Sequence, residues 1–129
     1  MILVDTSAWI AFFRDHGPVA AVVDNSLQDD DVALCGPVFT ELRRGFKSAA
    51  ERSKTIPLLL ACHQLPQPAG LWNEAGDLGF ALARSGVTVK TLDLLIAAYA
   101  LASGVPVLTL DRDFTLIARA GTGLQVVDF

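Results

Sequence analysis

No apolar run in this sequence is longer than the nine residues from Leu94 to Ala102, against the roughly 20 that cross a bilayer as a helix. A membrane-spanning helix is therefore not expected. The start, Met1-Ile2-Leu3-Val4, meets Asp5 at once and lacks the basic residues and long apolar core of a secretory signal, so the expected location is the cytoplasm. Cysteine is scarce: Cys35 and Cys62 lie far apart, each among apolar neighbours, which suits buried free thiols in a reducing compartment better than a disulfide. Histidine is equally scarce. Neither His16 nor His63 has a second histidine or cysteine at a zinc-ligand spacing, so both read as surface or satisfied core residues. Positive charge is also short, with 10 Lys and Arg against 14 Asp and Glu and a net charge of -4. Phosphate neutralisation normally supplies most of the affinity for nucleic acid, so composition speaks against an RNA substrate held by a basic surface. The objection weakens if the acids are gathered around divalent cations, which reverse the local charge a phosphate meets.

What is present is enough apolar material for a core: 52% of 129 residues. That supports a single domain spanning residues 1–129. Ile2 to Val4 reads as a strand, with Asp5, Thr6 and Ser7 as capping residues before a helix carrying Trp9, Ile10, Phe12 and Phe13. A second helix follows Gly17-Pro18 and ends at the solvated acidic turn Asp29-Asp30-Asp31. Val32 to Cys35 reads as a second strand, and Pro37 opens a helix with Glu41 in its middle. Further helices are predicted around Ala50 to His63 and from Leu71 to Arg84, with Pro66 and Pro68 between them. Thr91 is placed to cap an almost wholly apolar helix that ends at Gly104. Val105 to Leu110 reads as a buried strand followed directly by Asp111, Phe114 to Ala120 as a helix, and Leu124 to Val127 as a last strand. Uniformly apolar strands alternating with helices predict an α/β fold of three layers, α/β/α, around a mainly parallel sheet.

Four carboxylates stand out. In open α/β sheets ligands sit beyond the carboxyl ends of strands, and Asp5 and Asp111 both follow predicted strands. Either alone is explained as a turn or helix-cap residue. Asp93 is harder to explain away, because it is the only charge between Thr91 and Ala102, and burying an unpaired carboxylate is costly. Its place in a first helical turn offers only about 0.3 to 1 kcal/mol at exposed sites. Glu41 has a simpler alternative, solvation on an exposed helix face or a pair with Arg44 worth a few tenths of a kcal/mol. Together the four suit a hard divalent cation such as Mg²⁺, which prefers oxygen ligands. Thr6 and Ser7 are either capping hydroxyls or groups that orient a carboxylate, and Asp113 is either an outer ligand or the cap of the last helix.

Four segments in order, "ILVDTSAWI", "PVFTELRRG", "TLDLLIAAYA" and "VLTLDRDF", give the chain a nearly end-to-end resemblance to the PIN domain, and within it to the VapC toxins of bacterial toxin–antitoxin pairs. The resemblance implies a PIN-like fold and a Mg²⁺- or Mn²⁺-dependent endoribonuclease whose acidic quartet is Asp5, Glu41, Asp93 and Asp111, with Asp113 a less certain addition. It also implies cleavage of transfer or ribosomal RNA that stops translation, a homodimer, and a VapB antitoxin whose C-terminal segment lies over the acidic pocket in a heterotetramer or larger complex. The one mild departure is the missing proline ahead of Asp93. On chemical grounds Asp5, Asp93 and Asp111 are the expected metal ligands, and Glu41 is a ligand through water or a general base. Arg14, Arg43, Arg44, Lys47 and Arg112 are candidates for holding the RNA backbone, each equally well explained as a solubilising surface charge. A phosphatase of the haloacid-dehalogenase type is disfavoured, since it needs a second aspartate where Ser7 stands. A non-catalytic module whose acids grip a basic peptide is the remaining rival.

Overall fold

The computed structural model describes residues 1–129. Its order is β1 (Ile2–Val4), α1 (Thr6–Phe13), α2 (Gly17–Gln28), β2 (Val32–Leu34), α3 (Gly36–Gly45), α4 (Ala49–Leu60), β3 (His63–Gln64), α5 (Leu71–Arg84), α6 (Thr91–Ser103), β4 (Val107–Leu108) and α7 (Arg112–Arg119). The four strands form one parallel sheet in the order β3-β2-β1-β4, so the expected parallel α/β fold is the one observed. Leu3 lies in register with Ala33 on one side and Val107 on the other. Leu3, Val4, Ala33, Leu34, Val107 and Leu108 have no exposed surface, as expected of strands covered by helices on both faces. No helix is long and apolar enough to cross a membrane.

Three elements differ from the sequence expectation. The helix expected to reach His63 stops at Leu60, and His63 with Gln64 forms the edge strand β3 beside Ala33 and Leu34. Two polar residues without a β-branched side chain carry no strand signal of their own; pairing with β2 defines them. The strand expected over Val105 to Leu110 is only Val107–Leu108, because the Thr109 hydroxyl is engaged by Asp5 and by the Asp111 N–H and the chain leaves the sheet there. Leu110 is then exposed. The last expected strand reduces to one parallel bridge, Val107 to Val126.

Helix α6 is the central one: Ile96, Ala97, Ala98, Tyr99 and Ala100 are all buried. Thr91 is its first helical residue; the cap position belongs to Lys90, with no side-chain capping bond. The helix ends as expected on Gly104, whose φ is +66°. Nothing lies within 4 Å of a Cβ added there, so Gly104→Ala isolates the backbone cost of a left-handed alanine. A loss of about 1 kcal/mol in urea unfolding is expected, with the midpoint lowered and the slope unchanged.

Cys35 and Cys62 are buried and free, as expected. The acidic turn is largely solvated, and it also anchors two groups: Asp31 pairs with the N-terminal amine at 2.8 Å, and the Asp30 carbonyl meets His63 Nε2 at 2.7 Å.

Candidate active site

Asp5 sits at the end of β1, in the cap position of α1, yet its side chain makes no capping bond to the helix. Its Oδ2 instead accepts hydrogen bonds from Ser7 Oγ and Thr109 Oγ1, both at 2.9 Å. The carboxylate is 4% exposed. Ser7 Oγ in turn accepts the Leu110 N–H at 2.9 Å, and Thr109 Oγ1 accepts the Asp111 N–H at 2.8 Å. The turns after β1 and β4 are thus tied by side chains at the carboxyl edge of the sheet. Thr6 does not cap either: its hydroxyl donates to Glu41 Oε1 at 2.7 Å. Glu41 makes no ion pair with Arg44, so the exposed-pair explanation of Glu41 falls.

Asp93 enters from the first turn of α6 and is 5% exposed. Its Oδ2 is buried without a hydrogen-bond partner. Asp111 caps α7, accepting the Asp113 N–H at 2.9 Å, so the capping role considered for Asp113 falls to Asp111. Asp113 stands in the first turn of that helix. Ligand oxygens of Asp93, Asp111 and Asp113 lie within 4.8 Å of one another. Asp5 and Glu41 stand outside that tightest group. Burial pushes the Asp93 carboxyl up to about 7; the Asp113 carboxyl beside it adds to the rise, Lys90 opposes it, and Asp111 and Asp5 raise it further. Burial likewise lifts the Cys35 thiol to about 12, with Asp5 and Glu41 contributing. A buried thiol held protonated is a poor nucleophile.

The donor set fits a hard divalent cation. It is all carboxylate, its ligand oxygens lie within 4.8 Å of one another, and it includes one buried oxygen without a hydrogen-bond partner. The family profile of the PIN domain matches residues 2–120. The chain belongs to the PIN-domain family. Among curated relatives of this PIN domain, the VapC ribonuclease Mb1587 of Mycobacterium bovis and Ribonuclease VapC11 of Mycobacterium tuberculosis are each 35% identical over 137 residues, covering 100% of this chain and 99% of theirs. A solved structure of VapBC2 from Rickettsia felis, bound to a DNA fragment from their promoter, has a similar chain with TM-score 0.78, 22% identity and 98% coverage of both. VapBC-5 of Mycobacterium tuberculosis matches with TM-score 0.65 at 27% identity, covering 98% of this PIN domain and 97% of its own chain.

Two residues of the site escaped the sequence reading. Thr109, 6% exposed, holds Asp5; it is the only polar residue between Val105 and Leu110, and that was its signal. Lys90 places Nζ 3.2 Å from Asp111 Oδ2 and 3.6 Å from Asp93 Oδ2; its signal was a cation three residues ahead of the lone acid of α6. The basic residues singled out from sequence make no ion pair with the PIN-domain acids. Arg43 lies over the Phe39 ring at 5.2 Å, Arg44 and Arg112 are exposed, and Arg14 and Lys47 flank a groove with Ile10 and Phe13.

Proposed function

We propose that this PIN domain is an endoribonuclease toxin of the VapC type, hydrolysing RNA phosphodiester bonds with Mg²⁺ or Mn²⁺ and neutralised by a VapB antitoxin. The observation that carries the reading is the buried Asp93 Oδ2 without a hydrogen-bond partner inside a group of three carboxylates, since burying a polar oxygen with its hydrogen-bonding capacity unmet is costly. Asp93, Asp111 and Asp113 would hold the cation, with Asp5 as a further ligand that Ser7 and Thr109 orient through Oδ2. When bound, a divalent cation supplies Lewis acidity and positive charge at the scissile phosphate. Glu41, held by Thr6 and outside the tightest carboxylate group, would accept the proton of the attacking water. A carboxylate oriented by one hydrogen bond and open on its other oxygen suits that role.

A groove leads from Glu41 past Thr6, Ile10, Phe13, Leu42 and Phe46. Ile10 and Phe13 are exposed, and Arg14, Lys47 and Glu51 border it. An amphipathic antitoxin segment laid there would cover Glu41, a helix-in-groove mode of recognition. The similarity to chains from VapBC complexes supports the same partner. Transfer or ribosomal RNA as substrate, arrest of translation, and a homodimer joined into a heterotetramer or larger complex complete the reading on the strength of the family resemblance.

The test is thermal unfolding of antitoxin-free protein in EDTA and then in rising Mn²⁺, for wild type and Asp5→Asn. At a hundredfold excess over Kd the wild type is expected to gain on the order of 10 °C, and the variant little of it. No gain in either protein would favour the rival, a non-catalytic module whose acids grip a basic peptide.

A further inference from the structure

Ten lysines and arginines are available to balance fourteen acids, yet only one of these side chains lies within 4.0 Å of any carboxylate. That side chain is Lys90; the other ion pairs use the N-terminal amine and His63. The single pairing falls at the acidic centre, where one ammonium reaches Asp111 Oδ2 at 3.2 Å and Asp93 Oδ2 at 3.6 Å. The same Asp93 oxygen is the buried atom without a hydrogen-bond partner. Lys90 therefore supplies charge there without satisfying the oxygen's geometry.

We propose that Lys90 is a tethered counter-cation of the Asp93–Asp111 pair, which a divalent ion must displace in order to bind. This rests on the reading of Asp93 and Asp111 as cation ligands. The backbone of Lys90 is fixed as the residue preceding α6, so the ammonium is delivered beside Asp93 by the same helix start that delivers the acid. Its side chain is otherwise 69% exposed. A flexible, strongly hydrated point charge on a four-carbon stem can leave its partners without disturbing the core. A lysine ammonium is charged at neutral pH, so at 3.2 Å from Asp111 and 3.6 Å from Asp93 it opposes an incoming cation with a full positive charge.

Two consequences of opposite sign follow. Without a divalent ion, Lys90 offsets the repulsion among Asp93, Asp111, Asp113 and the nearby Asp5. With one, the same ammonium is a competitor, and the metal's apparent affinity falls by the fraction of molecules in which the amine occupies the acids. A residue that merely held α6 in place would weaken both states when removed. The exposed setting also makes the competition sensitive to ionic strength, because salt screens pairs of this kind.

The test uses the full chain and the metal alone. Mn²⁺ titrations followed by calorimetry and by thermal unfolding are run on wild type, Lys90→Met and Lys90→Arg at low and high salt. Lys90→Met is expected to bind Mn²⁺ about three- to tenfold more tightly than wild type at low salt, with the gap narrowing at high salt, and to melt lower than wild type in EDTA. Lys90→Arg, which keeps the charge, is expected to stay within about twofold of wild type. Unchanged or weaker Mn²⁺ binding by Lys90→Met, with wild type still binding, overturns the role of Lys90 and leaves the metal site standing. No binding by wild type overturns both readings together.

Discussion

Asp93→Asn is expected to stabilise the metal-free protein at pH 7.5 and above while lowering RNA cleavage on the order of a thousandfold, the scale of loss seen when one electrostatic group leaves a catalytic site. The stabilisation comes from deleting a charge that burial and the neighbouring Asp113 disfavour. The amide that replaces it is itself buried and imperfectly satisfied, at a cost of about 1 to 3 kcal/mol, so of a charge penalty of about 4 kcal/mol a net gain of about 1 to 3 kcal/mol remains. In saturating Mn²⁺ the order should reverse, because the wild type alone keeps the full ligand set. Urea unfolding in EDTA and in Mn²⁺, with cleavage measured alongside, checks all three parts. A less stable metal-free variant that still cleaves at the wild-type rate would sink the assignment of Asp93.

The metal-free wild type is expected to lose stability as pH rises from about 4 to about 7. The folded-state carboxyl of Asp93 is raised to about 7, whereas the unfolded chain releases that proton near 4. Below pH 4 both states hold the proton and Asp93 imposes no penalty. Between 4 and 7 the folded state alone holds it, and stability falls by up to about 1.4 kcal/mol per pH unit. Above 7 the penalty is complete, at no more than about 4 kcal/mol, with the Lys90 ammonium opposing it. Asp93→Asn should remove this slope, so the curves of variant and wild type should cross in the acid range. Denaturant midpoints from pH 4 to 8 in EDTA, read for both proteins, measure it. Parallel curves would show that Asp93 is already charged in the folded protein at pH 5.

Much of this was legible in the sequence, for identifiable reasons. Helix α5 has the predicted bounds Leu71 and Arg84 because Pro66 and Pro68 break the chain before it and Gly86, at φ +81°, closes it. Asp93 declared itself as a lone charge in an apolar helix, a local contradiction of the kind expected at functional sites. Glu41 was more ambiguous, since its helix has a wet face, and the hydrogen bond from Thr6, 35 residues away, is not a property of that helix. β3 was missed because a two-residue edge strand is defined by its neighbour. Thr109 and Lys90 were missed because each looked ordinary within its own segment: one a polar residue in a strand, the other a charge before a helix. Their partners are Asp5, 104 residues distant, and Asp111, 21 residues on. The order β3-β2-β1-β4 was equally out of reach, as it depends on how crossovers pack and not on any one strand.

Strand β1 lies between β2 and β4, and the acidic centre draws on both ends of the chain: Asp5 is held by Thr109, and Ser7 accepts the N–H of Leu110. During synthesis the first five residues are made long before their partners exist. The sheet can begin with β1 and β2, but the cluster of Asp93, Asp111 and Asp113 and the clamp on Asp5 close only once the segment from Thr109 to Asp113 is in place, a long-range step of the kind that forms late. A chain that lacks the segment from Thr109 to Asp113 therefore has no assembled centre, and the acids of β1 and α6 remain apart until β4 has paired with β1.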